Sequence, residues 1–169
     1  LLTMLTPCGP IMATGDVNHD GRMDVFTGGT EGNAGRIYIQ QSDGTFLESN
    51  AGVFNPRHTD ADAVFLDADG DQDQDLYVVS GGYNDYSPKD PALQDRLYIN
   101  DGQGKFSLSD GLPSMLVSKS TVAASDFDHD GDIDLFVGGR VIPGAYPVTP
   151  ESFLLENDGG KFQIVTDDK

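Results

Sequence analysis

Hydrophobic and polar positions alternate in short runs along this chain, and few stretches show the 3.6-residue period of a helix. Runs such as "RIYIQ", "DLYVVS" and "DLFVGG" are bounded by Gly, Asn and Asp. That pattern predicts short β-strands joined by tight turns, an all-β chain. Twenty-one glycines and nine prolines in 169 residues strengthen the expectation of many turns.

The strand pattern occurs three times. "ATGDVNHDGRMDVFTGG" at 13–29, "AVFLDADGDQDQDLYVVSGG" at 63–82 and "VAASDFDHDGDIDLFVGG" at 122–139 are copies of one unit, whose first loop aspartates are Asp16, Asp67 and Asp126. A second pair of strands follows each copy, around Asp43-Gly44, Asp101-Gly102 and Asp158-Gly159. Asp-Gly is a strong hairpin signal, because glycine takes a positive φ without steric cost. Each unit therefore reads strand A, aspartate loop, strand B, variable loop, strand C, turn, strand D. Glycine pairs 28–29, 81–82 and 138–139 are expected to end strand B through turn geometry and close packing. Four antiparallel strands repeated every 50 to 60 residues describe β-propeller blades, at about 11–55, 60–113 and 120–169. Small residues in strand A, among them Ala13, Gly15, Ala123 and Ala124, suit blades that converge on a narrow axis.

Charge sharpens the picture. The formal net charge is −18, and 24 of the 28 acids are aspartate. Aspartate's short arm reaches backbone amides or a bound cation in a tight loop. No basic cluster exists among the ten Lys and Arg residues, which argues against nucleic acid. No apolar run approaches the length of a membrane span. Cys8 is the single cysteine, so an intrachain disulfide is excluded. The opening "LLTMLTPCGP" lacks the features of a signal peptide and is expected to be an interior segment of a longer protein.

Thirteen of the 28 acids fall in the three loops. The third offers side-chain oxygens from Asp126, Asp128, Asp130 and Asp134, at offsets 0, 2, 4 and 8, and Gly131 lets the chain curl so that the Asp132 carbonyl points inward. A bidentate Asp134 and a water bring the set to six or seven hard oxygens, which suits Ca²⁺, with Mg²⁺ ranked second and no histidine or thiolate set for zinc. Loop one, Asp16, Asn18, Asp20, Arg22 and Asp24, has an amide for one acid and arginine at the carbonyl position. Loop two, Asp67, Asp69, Asp71, Asp73 and Asp75, keeps every acid but has Gln72 where the others have glycine. Gln72 must accept a strained backbone, or that loop curls differently. An EF-hand is excluded, since Thr27, Val78 and Val137 stand where its last glutamate belongs. His19 and His129, at offset 3, are expected to face solvent.

These three copies resemble the FG-GAP, or VCBS, calcium-binding repeats of integrin-α-like β-propellers, over roughly residues 11–169. "LQDRLYINDGQGKF" and "DLFVGGRVIPGAYP" look closer still to large secreted bacterial proteins related to cartilage acidic protein. The resemblance implies three Ca²⁺ ions on the fifteen positions just named, with Arg22, Asp73 and Asp132 ligating through their carbonyls. It also implies a secreted or cell-surface setting.

The function expected from this is a calcium-stabilised module that binds an extracellular protein or glycan, for adhesion. Any specificity would lie in the long B–C loops at 83–94 and 140–151, which carry Tyr83, Tyr86, Arg140 and Tyr146. A catalytic role is not expected. The carboxylates that stand out have metal-loop spacing, and Glu31, Glu48, Asp60 and Asp62 have no motif context. The alternatives are a non-catalytic scaffold of a larger secreted enzyme and a carbohydrate-active propeller enzyme. Three blades cannot close a ring, so either further blades exist or copies self-associate through the open edges.

Overall fold

Alternation, repeats and Asp-Gly turns together produce three antiparallel sheets of four strands each. The computed structural model describes residues 10–30, 32–49, 52–82, 86–145 and 147–165; Cys8, Glu31, Tyr83 and Tyr146 lie outside them. The first sheet is β1 (Met12–Gly15), β2 (Asp24–Thr27), β3 (Arg36–Gln40) and β4 (Phe46–Ser49). The second is β5 (Thr59–Leu66), β6 (Asp75–Gly81), β7 (Arg96–Asn100) and β8 (Phe106–Leu108). The third is β9 (Ser118–Ser125), β10 (Asp134–Val141), β11 (Phe153–Asp158) and β12 (Lys161–Ile164). Every sheet is a meander in chain order, which is blade topology, and among the described residues a single 3₁₀ turn, at Pro91–Leu93, interrupts the strands.

The blades stack face to face, with innermost strands β1, β5 and β9 adjoining. Phe26 and Ile37 of blade one pack on Leu76, Val78, Tyr98 and Phe106 of blade two. Phe54, from the connection between the blades, wedges in with its ring 4.9 Å from Tyr98 and 5.4 Å from Phe26. The other face of blade two, with Tyr77, Val79 and Leu97, packs on Leu135, Val137, Leu155 and Phe162 of blade three. Burial follows from this order. Strand β6, covered on both sides, is buried at all seven positions, whereas β2 and β11 alternate because their blades each have one uncovered face. The ring is not closed.

Gly44, Gly102 and Gly159 take positive φ (82°, 73° and 56°) in the C–D turns, as the Asp-Gly signal requires. The third glycine pair corrects an expectation. Gly28 and Gly29 follow β2 and Gly81 ends β6, but Gly138 and Gly139 lie inside β10, which runs on to Val141 through two register shifts. The ladder continues because β9 begins as early as Ser118 and supplies partners that far out. Close packing still explains the glycine, since a Cβ on Gly139 would lie 2.0 Å from the Glu151 carbonyl oxygen.

Candidate metal centres

Each A–B loop is shaped by its own aspartates. The first acid receives backbone N–H groups on both oxygens. Asp16 accepts from Asp20 (3.1 Å) and Gly21 (2.8 Å), Asp67 from Gly70 (2.8 Å) and Gln72 (2.9 Å), and Asp126 from His129 (2.7 Å) and Gly131 (3.3 Å). The acid at offset 4 accepts from the amide two residues on, at 2.9 Å in Asp20, Asp71 and Asp130 alike. Such Asx bonds curl a chain around its own carboxylates.

Two residues per loop are left-handed, at offsets 3 and 5: His19 (57°) and Gly21 (79°), Gly70 (80°) and Gln72 (73°), His129 (67°) and Gly131 (104°). Loop two therefore follows the same backbone as the others. Its glycine has moved from one left-handed position to the other, and Gln72 accepts the strained conformation in exchange.

The curl brings carboxylates together in two loops. Oxygens of Asp67, Asp69 and Asp71 lie within 4.8 Å of one another, and so do those of Asp126, Asp128 and Asp130. Two ligands of one calcium ion, each at 2.3–2.6 Å, stand at most about 5 Å apart, so each trio fits around a single cation. All six donors are hard oxygens. Burial raises the Asp69 carboxyl above its ordinary range, with the nearby Asp71 carboxylate adding to it. Loop one is arranged differently: Arg22 pairs its guanidinium with Asp20, and the Asn18 side-chain amide donates to the same carboxylate at 3.0 Å. There the chain supplies its own cation. The side chains at the other two carbonyl positions are engaged elsewhere. Asp73 meets His19 at 2.6 Å across the blade boundary, so His19 is exposed but not idle, and Asp132 accepts from the Gly159 amide at 3.0 Å. His129 is exposed, as expected.

The acid at offset 8 stands apart from these trios. Asp24, Asp75 and Asp134 are 0–1% exposed at the start of strand B. Each takes one N–H from loop offset 1 and one from the end of strand C. The pairs are Val17 (3.1 Å) and Gln40 (2.8 Å), Ala68 (2.9 Å) and Asn100 (2.8 Å), and Phe127 (3.0 Å) and Asn157 (2.9 Å). This carboxylate staples the loop to its own blade. Burial raises Asp24 above the usual carboxylate range and pushes Asp75 up to about 6, against the pull of the N–H bonds.

A buried charged network at the opposite end of the blades was not legible in the sequence. Arg96 pairs with Asp60 at 2.7 Å, and Asp60 also accepts from the Gly29 amide of blade one at 2.6 Å. Lys119, fully buried, donates to the carbonyls of Leu93 (2.7 Å), Met115 (2.6 Å) and Val117 (2.8 Å) and lies 3.2 Å from Asp95. Burial lowers the Lys119 pKa and raises that of Asp95, each opposed by the other's charge. The available signal was a lysine inside the apolar run "MLVSKSTVAA". Near this end Tyr86 is half-buried, its hydroxyl donating to the Arg57 carbonyl at 3.1 Å. The two long B–C loops border one groove of about 640 Å³, with Pro88 and Lys89 on one side and Ile142, Pro143 and Glu151 on the other.

No helix among the described residues is long and apolar enough to cross a membrane. No curated protein matches the chain. Residues 16–78, from the first acid of loop one to the middle of β6, match the FG-GAP-like repeat, the family that the three aspartate loops resemble.

Proposed function

We propose that this β-propeller-like module binds calcium in its aspartate loops and works outside the cell as a non-catalytic binding or adhesion module for a protein or glycan. The observation that carries the reading is the recurrence of a three-carboxylate cluster at the same place in two successive blades, Asp67, Asp69 and Asp71, then Asp126, Asp128 and Asp130. Bound calcium would supply positive charge to loops that otherwise hold several like charges in one turn, a structural contribution. Loop one is the third site, where the ion must compete with Arg22 for Asp20.

A non-catalytic role draws support from the remaining acids. Asp60, Asp62 and Asp95 are each engaged by N–H donors or a buried cation, and Asp62 accepts from Val122 of the next blade at 3.0 Å. The groove between the B–C loops is where a partner would read this module, although Tyr86 serves to tether its own loop. Calorimetric titration of chelated protein with calcium tests the metal reading. Three ions per chain are expected, and two would single out loop one as the weak site. One ion or none would overturn the reading. A glycan and extracellular-matrix array, run in calcium, tests the binding role.

A further inference from the structure

Loops two and three, whose carboxylates cluster, share one side chain. Asn157, near the end of β11, donates its side-chain amide to the Ala68 carbonyl at 2.8 Å and to the Ile133 carbonyl at 3.2 Å. Ala68 lies between the loop-two acids Asp67 and Asp69, and its own N–H donates to Asp75 at 2.9 Å, so this residue is held from both blades. Ile133 follows Asp132, whose carbonyl the loop-three pattern points inward. The turn after Asn157 touches both loops as well. Gly159 donates to the Asp132 carboxylate at 3.0 Å, Gly160 donates to the Asn157 oxygen at 3.0 Å, and a Cβ on Gly160 would lie 3.2 Å from that of Asp69. Asn100 makes the same clasp one blade earlier, to the Val17 carbonyl of loop one at 2.8 Å and the Gln74 carbonyl of loop two at 3.2 Å.

Without a cation, each trio holds three like charges within 4.8 Å, and their repulsion favours an open loop. A bound ion favours the closed loop. Once one loop has closed, it fixes the amide that the other loop must meet. Part of the ordering cost of the second loop is then met before its own ion arrives, which is positive coupling with no movement of the blades.

We propose that Asn157 couples the calcium sites of loops two and three, so that an ion in either raises the affinity of the other. Resting on the calcium reading above, this makes metal loading cooperative across a blade boundary. Coupling of this kind is reciprocal, and typically about 5-fold or more.

Heteronuclear NMR of the nitrogen-labelled chain, with free calcium set by excess chelator, reads the two loops separately. The Gly70 amide donates to Asp67 and the Gly131 amide to Asp126, so each reports on its own loop. Asp69 and Asp128 are both exposed, so replacing either leaves the fold in place. Asp128→Ala should weaken the calcium response of Gly70 by about 5-fold or more, and Asp69→Ala should do the same to that of Gly131. With Asn157→Ala added, Asp128→Ala should no longer affect Gly70, whereas a purely electrostatic effect between the loops would persist. Asn157→Ser, which keeps a side-chain oxygen, gives the same comparison if Asn157→Ala does not fold. Asn100→Ala removes a clasp of the same kind elsewhere and should leave the coupling of loops two and three intact, a distinction that a general loss of stability would not make. A Gly70 response indifferent to Asp128, or coupling that survives the loss of Asn157, would overturn the inference while the calcium sites stand. No calcium response at either glycine would overturn the calcium reading as well.

Discussion

Asn157 holds the Ala68 carbonyl at 2.8 Å, across 89 positions of sequence and one blade boundary. Its amide also donates to Ile133 at 3.2 Å, and its oxygen accepts from Gly160 at 3.0 Å. One side chain therefore joins the C–D turn of blade three to two aspartate loops, and Asn100 repeats the arrangement one blade earlier.

Replacing Asn157 with leucine strips partners from two carbonyls and one amide while keeping the volume similar. Buried groups left unpaired cost about 1–3 kcal/mol each, so a loss of about 2–4 kcal/mol is expected in urea denaturation, with Ile133 only partly buried. Asn100→Leu should behave alike. A loss below about 0.5 kcal/mol, the low end for a single net hydrogen bond, would mean that the clasp does not hold the blades.

Asp134 and Asp128 sit six residues apart in one loop and should respond oppositely to metal removal. Asp134→Ala orphans the Phe127 and Asn157 amides, so it should destabilise the protein even in chelator, by about 2–4 kcal/mol. Asp128→Ala removes one of three crowded charges, so in chelator it should be neutral or slightly stabilising. In calcium it should forfeit that loop's stabilisation, which is about 2.7 kcal/mol when free ion is a hundredfold above Kd. Thermal melts of both variants in each condition separate staple from ligand.

That contrast shows what could be read from the sequence and what could not. The strands, the Asp-Gly turns and the aspartate loops depend on residues within about nine positions of one another, so period and spacing reveal them. Spacing puts Asp134 among the loop acids, but only burial shows that its oxygens face two backbone amides. The clasp of Asn100 is harder still, because its partner is the carbonyl of Val17 and a carbonyl has no residue identity to search for. Asp60 pairs with Arg96 within blade two and Asp95 pairs with Lys119 across blades two and three, and neither pair recurs at the corresponding places among the described residues, so no repeat marks them.

Gln72 holds φ of 73° at a position where loops one and three have glycine. A side chain in the left-handed region costs about 1–2 kcal/mol, and glycine's greater freedom in the unfolded chain cancels about 0.5–1 of that. Gln72→Gly should therefore be neutral to slightly stabilising, whereas the β-branched Gln72→Val should be clearly destabilising. Equal melting temperatures for the two variants would mean that the loop relaxes its backbone.

His58 should make the metal-free protein acid-sensitive. Burial, aided by the Arg96 cation, holds its pKa below 6.5, and its Nδ1 lies 2.9 Å from the Ala92 carbonyl as a donor. The unfolded chain thus takes up this proton first, so the contribution is complete above pH 6.5 and is lost as pH falls below it. Asp75 acts in the other direction. With its folded pKa raised to about 6, acidification between about 6 and 3.8 favours the folded state. Melting curves in chelator from pH 7.5 to 5 should show a shallower decline for His58→Gln, which keeps an N–H donor, than for the parent. Identical slopes would place His58 in a hydrated setting.

Lys119 offers the most severe test of the packing between blades two and three. Its ammonium group is surrounded by three carbonyls and the Asp95 carboxylate, and Asp95 also accepts from the Tyr77 hydroxyl and the Ser80 amide at 2.7 Å each. Lys119→Met retains the stem but leaves Asp95 as an unpaired buried charge, and removing one partner of such a pair costs about 3–5 kcal/mol. Adding Asp95→Asn should restore part of that loss, because the neutral amide needs no counter-charge and its oxygen still accepts from Ser80. The double variant should therefore be more stable than Lys119→Met alone. If the two changes simply add, measured by denaturant titration, the Lys119–Asp95 attraction contributes nothing, and the lysine is held by its three carbonyls.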